Sequence, residues 1–138
     1  MTQNQLTPAA RFRAAVEADD VDATVEVLAE DVIFNSPVVH RPYVGRASLR
    51  AILRAVFTVF EDFRYVAEYA GSNGTGPNDT GSNNGHVLQF RATVDGRDLE
   101  GVDILVCDSE KITELTVLVR PYSAATALRE RMAALMTD

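Results

Sequence analysis

The stretch Leu49-Arg50-Ala51-Ile52-Leu53-Arg54-Ala55-Val56-Phe57-Thr58-Val59-Phe60-Glu61-Asp62-Phe63-Arg64-Tyr65-Val66-Ala67-Glu68-Tyr69 changes its hydrophobic period half-way along, and the change decides the fold class. Leu49, Ile52, Leu53, Val56, Phe57 and Phe60 recur at helical spacing and form one broad apolar stripe, with Arg50 and Arg54 pointing elsewhere. From Phe63 onward the period is two. Phe63, Tyr65, Ala67 and Tyr69 alternate with Arg64, Val66 and Glu68, which predicts a strand.

Upstream, Thr7 is a good N-cap and Pro8 suits a first helical position. Ala9, Phe12, Ala15 and Val16 then share a face, so a first helix runs to about Ala18. Asp19 and Asp20 restart the chain as a cap, and Val21, Val25 and Leu28 predict a short second helix. Asp31 to Pro37 reads as a short strand that Pro37 stops, followed by a loop from Val38 to Gly45. Downstream, the segment from Gly71 to Gly85 holds five of the eight glycines and reads as a loop between strands. His86–Val94 and Leu99–Cys107 follow, joined by an Asp95-Gly96 hairpin signal. Ile112–Val119 is the last strand. Ser123 then caps a final helix with Ala125, Leu128, Met132 and Leu135 on one face. The order α-α-β-α-β-β-β-β-α, with strands massed after helices, argues for a single α+β domain over residues 1–138, its helices on one face of an antiparallel sheet.

The chain has 138 residues, 13 Lys+Arg against 20 Asp+Glu, and a formal charge of −7. A domain near this size buries roughly 68–70% of its unfolded surface, so a core needs neither metal nor disulfide. Phosphate affinity comes from clustered Lys and Arg, so the acidic balance argues against nucleic acid and against anionic membranes as partners. Cys107 is the only cysteine, which excludes an intramolecular disulfide, and its apolar strand predicts a buried, inert thiol. The first residues carry neither a basic nor an apolar signal region, and no run approaches the ~18 apolar residues of a membrane span. The expected compartment is the cytoplasm.

Several short stretches together resemble one known family. They are Asp20 with Leu28-Ala29-Glu30-Asp31-Val32, then Phe34-Asn35-Ser36-Pro37, then Tyr43-Val44-Gly45-Arg46 opening a helix. Gly101-Val102-Asp103-Ile104-Leu105, Lys111-Ile112-Thr113-Glu114 and Val119-Arg120-Pro121 continue the series. In order and spacing the chain resembles the nuclear transport factor 2-like superfamily, in its ketosteroid isomerase-like and SnoaL-like branch. That resemblance implies a curved sheet wrapped around the N-terminal helices to form a cone with an apolar pocket.

It also implies a set of active-site positions. The general-base Asp of ketosteroid isomerases falls on Ser36, and their oxyanion-hole Tyr of helix 1 falls on Phe12. Their second, protonated Asp falls on Asp103, so one of three roles survives. The Asp–Arg–Asp set of the superfamily's epoxide hydrolases falls on Arg91, Thr93 and Val117, which does not support that chemistry. Polyketide cyclases of the SnoaL type need only a pocket acid, and that reading asks least of the residues present.

Strand alternation puts Asp103 on one face with Gly101 and Leu105, the face that the resemblance turns toward the pocket. A carboxyl in an apolar site resists ionisation and can donate a proton or hydrogen bond at neutral pH. Ketosteroid isomerases keep a carboxylic acid protonated at neutral pH in this way. His40, in the loop after Pro37, is the second candidate for acid–base work, because an ordinary His titrates near 6.5. The expected ligand-binding wall is made by Phe12, Val16, Phe57 and Phe60 from helices, and by Phe34, Ser36, Leu88, Phe90, Leu105, Val117 and Val119 from the sheet side. Arg120 is expected to cap carbonyls or to pair with an acid such as Glu114. No metal-ligand spacing is present, and the chemistry implied calls for no cofactor.

The expected function is therefore a small hydrophobic-ligand pocket, either a cofactor-independent isomerase or cyclase with Asp103 as buried acid, or a non-catalytic binding or assembly domain of the same fold. Val102, Ile104, Val106, Thr116 and Leu118 fall on the opposite, convex face. A patch of that size predicts a homodimer through the convex face, unless Leu128, Met132 and Leu135 of the last helix fold back over it.

Overall fold

A computed structural model describes residues 7–72 and 84–136. The interior of the expected Gly71–Gly85 loop lies outside the described residues. The elements are α1 (Pro8–Glu17), α2 (Val21–Glu26), β1 (Leu28–Asn35), β2 (Tyr43–Val44), α3 (Arg46–Val59), β3 (Glu61–Gly71), β4 (Gly85–Val94), β5 (Arg97–Cys107), β6 (Ile112–Arg120) and α4 (Tyr122–Met136). One six-stranded sheet carries the order β2-β1-β6-β5-β4-β3. The sheet is curved and unclosed, and all four helices pack on its concave side or at its rim.

Local chemistry sets the helix starts. Thr7 accepts a hydrogen bond from the Ala10 N–H at 3.1 Å, and Asp20 accepts one from the Ala23 N–H at 3.0 Å. Asp19 turns the chain between α1 and α2 with φ 58°, a left-handed conformation that Asp tolerates better than most residues. α3 has no side-chain cap. Instead the Arg46 guanidinium donates to the Leu28 and Glu26 carbonyls at 2.9 and 3.0 Å, which ties the start of α3 to the entrance of β1.

The structure corrects three readings around β1. Leu28 is not the last turn of a helix but the first residue of β1, fully buried and paired with Ile112. The loop after Pro37 also contains a two-residue strand, Tyr43–Val44, antiparallel to Ile33 and Phe34. Nor is the sheet wholly antiparallel, because β1 runs parallel to β6. Propensity cannot choose a partner about 80 residues away, and tertiary packing decides it.

Register shifts bend the sheet. They occur twice between β3 and β4, at Glu61/Arg64 and Tyr65/Ala67, and once each between β1 and β6 and between β5 and β6. The hairpin signal holds: Asp95 and Gly96 both take positive φ, 52° and 75°, and Val94 pairs with Arg97. On β5 the burial alternates strictly, with Leu99, Gly101, Asp103, Leu105 and Cys107 inward. Cys107 is 8% exposed, and burial with the nearby Asp108 raises its thiol pKa to about 11. That is the inert thiol expected of its strand.

Gly101 is a point of close approach on the concave wall. A Cβ there would meet the Leu118 carbonyl at 2.5 Å and Phe90 Cζ at 2.6 Å. The absent side chain lets the Phe90 ring lie down over β5. From that position Phe90 stacks on Phe63, with centroids 4.9 Å apart and planes 29° from parallel.

The convex face is left bare by the helices. α4 packs on α3 and against the inner side of β5 and β6, burying Ala124, Ala127 and Leu128 in the core. Leu128 and Met132 thus turn inward and Leu135 stays exposed, so the last helix does not cover the outer face. On that face Val66, Tyr69 and Leu118 are 46%, 61% and 53% exposed. Among the described residues no helix is long and apolar enough to cross a membrane.

Replacing Gly101 by Ala must displace either the Phe90 ring or the β6 backbone. The expected loss is about 1–3 kcal/mol of stability, the usual range for overpacking. Urea unfolding of Gly101→Ala measures it; an unchanged midpoint would show that the ring can move without cost.

Candidate functional site

Asp103 stands on the concave face of β5, 7% exposed, between Leu88 on β4 and Val117 on β6. Nothing in its own strand can satisfy it, because its inward neighbours are Gly101 and Leu105. Its partner comes from two strands away. The Tyr65 hydroxyl, on β3, donates to Asp103 Oδ2 at 2.7 Å. Oδ1 takes no hydrogen bond among the described residues, and the carboxyl lines the cavity.

Burial raises the Asp103 pKa from 3.8 to about 7, and the Tyr65 hydrogen bond pulls back against that rise. Tyr65 is 8% exposed. Burial first, then the Asp103 charge and hydrogen bond, push its hydroxyl well above the ordinary value of 10.0, so it remains a donor.

An aromatic scaffold aims Tyr65. Phe63 meets the tyrosine ring edge-on, with centroids 5.0 Å apart and planes at 87°. Phe90 meets it at 82° and 6.4 Å, and Phe60 closes the group against Phe63 at 5.6 Å. On the α1 side the Arg13 guanidinium lies 5.6 Å from the Tyr65 ring centre. Glu17 and Glu68 each hold Arg13 at 3.0 Å. The α1 helix is thereby anchored against β3, next to the phenol it helps to enclose.

Beside this pair opens a cavity of about 570 Å³. Phe12 and Val16 of α1, Ile52, Leu53, Val56 and Phe57 of α3, and Phe60 form its helical wall. Phe34, Phe63, Phe90 and Val117 face them from the sheet, and Leu128, Met132 and Met136 of α4 supply the roof. The size suits a drug-sized or smaller organic molecule.

The structure brings most of the expected residues together and removes four. Phe12, Val16, Phe34, Ser36, Phe57, Phe60, Phe90, Asp103 and Val117 line the cavity. His40 does not: it is exposed in the loop after Pro37, one residue beyond the cavity-lining Val39. Leu88 and Leu105 share the face of Asp103 but are fully buried in the packed core. Val119 packs beside Gly101 against the core and does not line the cavity. Arg120 and Arg91 both bind Glu100 on the convex face, at 3.0 and 3.4 Å, while Glu114 instead accepts from Asn35. Arg91 is therefore outside the cavity altogether.

Ser36 lines the cavity, yet its Oγ accepts from the Val38 and Val39 N–H groups at 3.0 and 3.2 Å. It caps its own loop and offers only its proton to a ligand. Phe12 is 2% exposed and has no hydroxyl to offer. The phenol in this site is Tyr65 of β3, a residue that sequence reasoning passed over. Its shared face with Phe63 was visible in the alternation, but its reach to Asp103 depends on a bulge and a register that no local pattern encodes.

The geometry can now be set beside known proteins. Residues 9–115 match the model of the SnoaL-like domain, about three quarters of the chain. The chain belongs to the SnoaL-like domain family. This SnoaL-like domain is similar in structure to a steroid delta-isomerase from Pseudomonas aeruginosa, with 34% sequence identity over 92% of this chain and 87% of that one and a TM-score of 0.79. It is also similar to an uncharacterised protein with a cystatin-like fold from Silicibacter pomeroyi, with 32% identity over 99% and 90% of the two chains and a TM-score of 0.82. A nuclear transport factor 2-like protein of unknown function from Cytophaga hutchinsonii shares the fold at 18% identity, covering 88% and 97%, with a TM-score of 0.62. No curated protein matches the sequence. These likenesses show that the SnoaL-like domain has the fold of nuclear transport factor 2-like proteins, in keeping with the α+β architecture. Among the described residues no three His, Cys, Asp or Glu side chains cluster as a metal site.

The raised pKa makes stability depend on pH. Below pH 3.8 the carboxyl is protonated in both folded and unfolded chains and costs nothing. Between 3.8 and about 7 only the unfolded chain releases the proton, so this residue lowers stability as pH rises. Above the upper value the penalty levels off at roughly 4 kcal/mol. Asp103→Asn removes it and keeps an acceptor for Tyr65. Relative to wild type, the variant should gain about 3 kcal/mol between pH 5 and pH 8 in urea unfolding. Parallel pH curves for the two proteins would mean that Asp103 titrates as it does in water.

Proposed function

We propose that this SnoaL-like domain binds a small, mainly apolar carbonyl compound and acts on it without a cofactor, with Asp103 as the acid. The observation that carries the reading is the enclosed carboxyl, with one oxygen held by Tyr65 and the other open to an apolar cavity. Protonated, Asp103 would donate from Oδ1 to a ligand carbonyl while Oδ2 accepts from Tyr65. Charge that gathers on that carbonyl oxygen as an enol or enolate forms would then be met by a short, water-excluded hydrogen bond.

The reaction type follows from what stands opposite. The residue where isomerases of this superfamily keep a base is Ser36, whose oxygen is already engaged by two N–H groups. A substrate that enolises easily, as a polyketide-like chain does, needs only the acid and a shape to direct ring closure. Cyclisation is therefore favoured over a proton shuttle of the steroid isomerase kind. The same engaged Ser36 supports the second reading, a non-catalytic binding module in which Asp103 only anchors the ligand.

A neutral naphthyl ketone such as 6-propionyl-2-(dimethylamino)naphthalene reports on both, because its emission shifts on leaving water. Wild type should bind it at pH 6 and lose affinity as pH rises through about 7, when Asp103 gives up its proton. Asp103→Leu should bind about tenfold more weakly at pH 6 and show no such dependence. Tyr65→Phe removes the hydrogen bond that favours the carboxylate, so the midpoint should move to higher pH. Equal, pH-independent binding by all three would end the role of Asp103. Binding with the predicted pH dependence, but no turnover of any enolisable polyketone, would select the binding module.

We further propose that two copies pair through the convex face. Supporting this, the apolar residues Val66, Val102, Ile104 and Leu118 lie there uncovered by α4. Beside them Glu100 is paired with Arg120 and Arg91, and Glu114 accepts a hydrogen bond from Asn35. A second copy would thus meet an apolar stripe whose flanking carboxylates are already hydrogen-bonded within the chain. Light scattering at micromolar concentration should give twice the mass of one chain, and Leu118→Arg should halve it. A single-chain mass for the unmodified protein would exclude the dimer.

A further inference from the structure

The charges around the cavity are one-sided. Besides Asp103, its lining includes Glu17, Asp19 and Asp62, all exposed to solvent, against a single guanidinium, Arg129. Glu17 is engaged by Arg13. The Asp19 and Asp62 side chains make no ion pair among the described residues, although Arg64 donates to the Asp62 backbone carbonyl at 2.9 Å. Both aspartates sit in left-handed backbone, with φ 58° and 57°, at the turn after α1 and at the start of β3. Farther in, the walls are aromatic, and the buried Asp103 leaves Oδ1 without a partner inside the cavity. That open oxygen says independently that a polar group of a ligand belongs at the inner end. Aromatic faces and carboxylates both attract organic cations, and both repel anions.

We propose that the ligand of this cavity is a cationic amphiphile: an apolar body with a hydrogen-bond acceptor at the Asp103 end and a protonated amine toward the exposed carboxylates Asp19 and Asp62. The proposal rests on the reading of the cavity as a small-molecule site and adds the charge of the molecule. Uncharged analogues enter on hydrophobic burial alone. Carboxylate-bearing analogues are turned away at the mouth.

Three 2-acetylnaphthalenes that differ only at position 6, as aminomethyl, hydroxymethyl and carboxylate, test it by calorimetry at pH 6. In low salt the aminomethyl ketone should bind about tenfold more tightly than the hydroxymethyl ketone, the scale expected of two solvent-screened ion pairs, and the carboxylate more weakly than either. At 300 mM salt the spread should narrow. The double variant Asp19→Asn, Asp62→Asn should cut the amine preference to less than threefold. Asn tolerates left-handed backbone as Asp does, so the turns are kept. If the hydroxymethyl ketone binds but the amine has no advantage, or the carboxylate is preferred, the charge preference is overturned and the cavity reading stands. If none of the three binds, the cavity reading fails and the preference with it.

Discussion

One hydrogen bond organises the interior of this protein, from the Tyr65 hydroxyl to Asp103 Oδ2. A lone carboxyl in an apolar wall would be driven toward neutrality or would draw water in. With the phenol in place the acid is half-satisfied and its pKa is brought to about 7 rather than higher. Making the bond requires that β3, β4 and β5 keep one register, since Tyr65 faces Phe90 and Phe90 faces Gly101, two residues from Asp103. It also requires the phenol to be aimed, which Phe63 and Phe90 do by edge contact. The missing side chain at Gly101 makes room for Phe90 and so for the whole arrangement.

The site divides into an inner end and a mouth with different physics. At the inner end, low polarity magnifies every interaction, and a single acid can matter because water does not compete. At the mouth, carboxylates on α1, the following turn and β3 are hydrated, and each contributes little alone. Helix α4 joins the two by roofing the space with Leu128 and Met132 while its polar side faces solvent. The flexible thioether of Met132 lets such a roof adapt to ligands of different outline.

Much of this was legible in the sequence where local rules apply. The period change around Phe60 and Phe63, the Thr7-Pro8 and Asp20 caps and the Asp95-Gly96 hairpin each follow from one neighbourhood of residues. The inward face of Asp103 followed from strict alternation on β5, the best-behaved strand. What escaped depended on distant partners. Leu28 joined a strand because Ile112 waits beside it, and Tyr65 joined the site because a bulge carries its strand into line. His40 looked suitable by residue type, but a loop gives no parity from which to tell inside from outside. Leu88, Leu105 and Val119 had the right parity yet sit where the cone is packed solid.

The parallel pairing of β1 with β6 has a consequence for how the molecule comes into being. Val32 and Phe34 on β1 are buried only once Glu114 to Thr116 lie alongside, some 80 positions later in the chain. During synthesis the first strand therefore leaves the ribosome long before its neighbour exists, and its apolar side must wait uncovered. Closing so long a loop is paid for before the contacts that reward it can form. Maturation is thus bound to follow synthesis of β6, and a chain interrupted before residue 112 would present sticky, unpaired edges to chaperones and proteases.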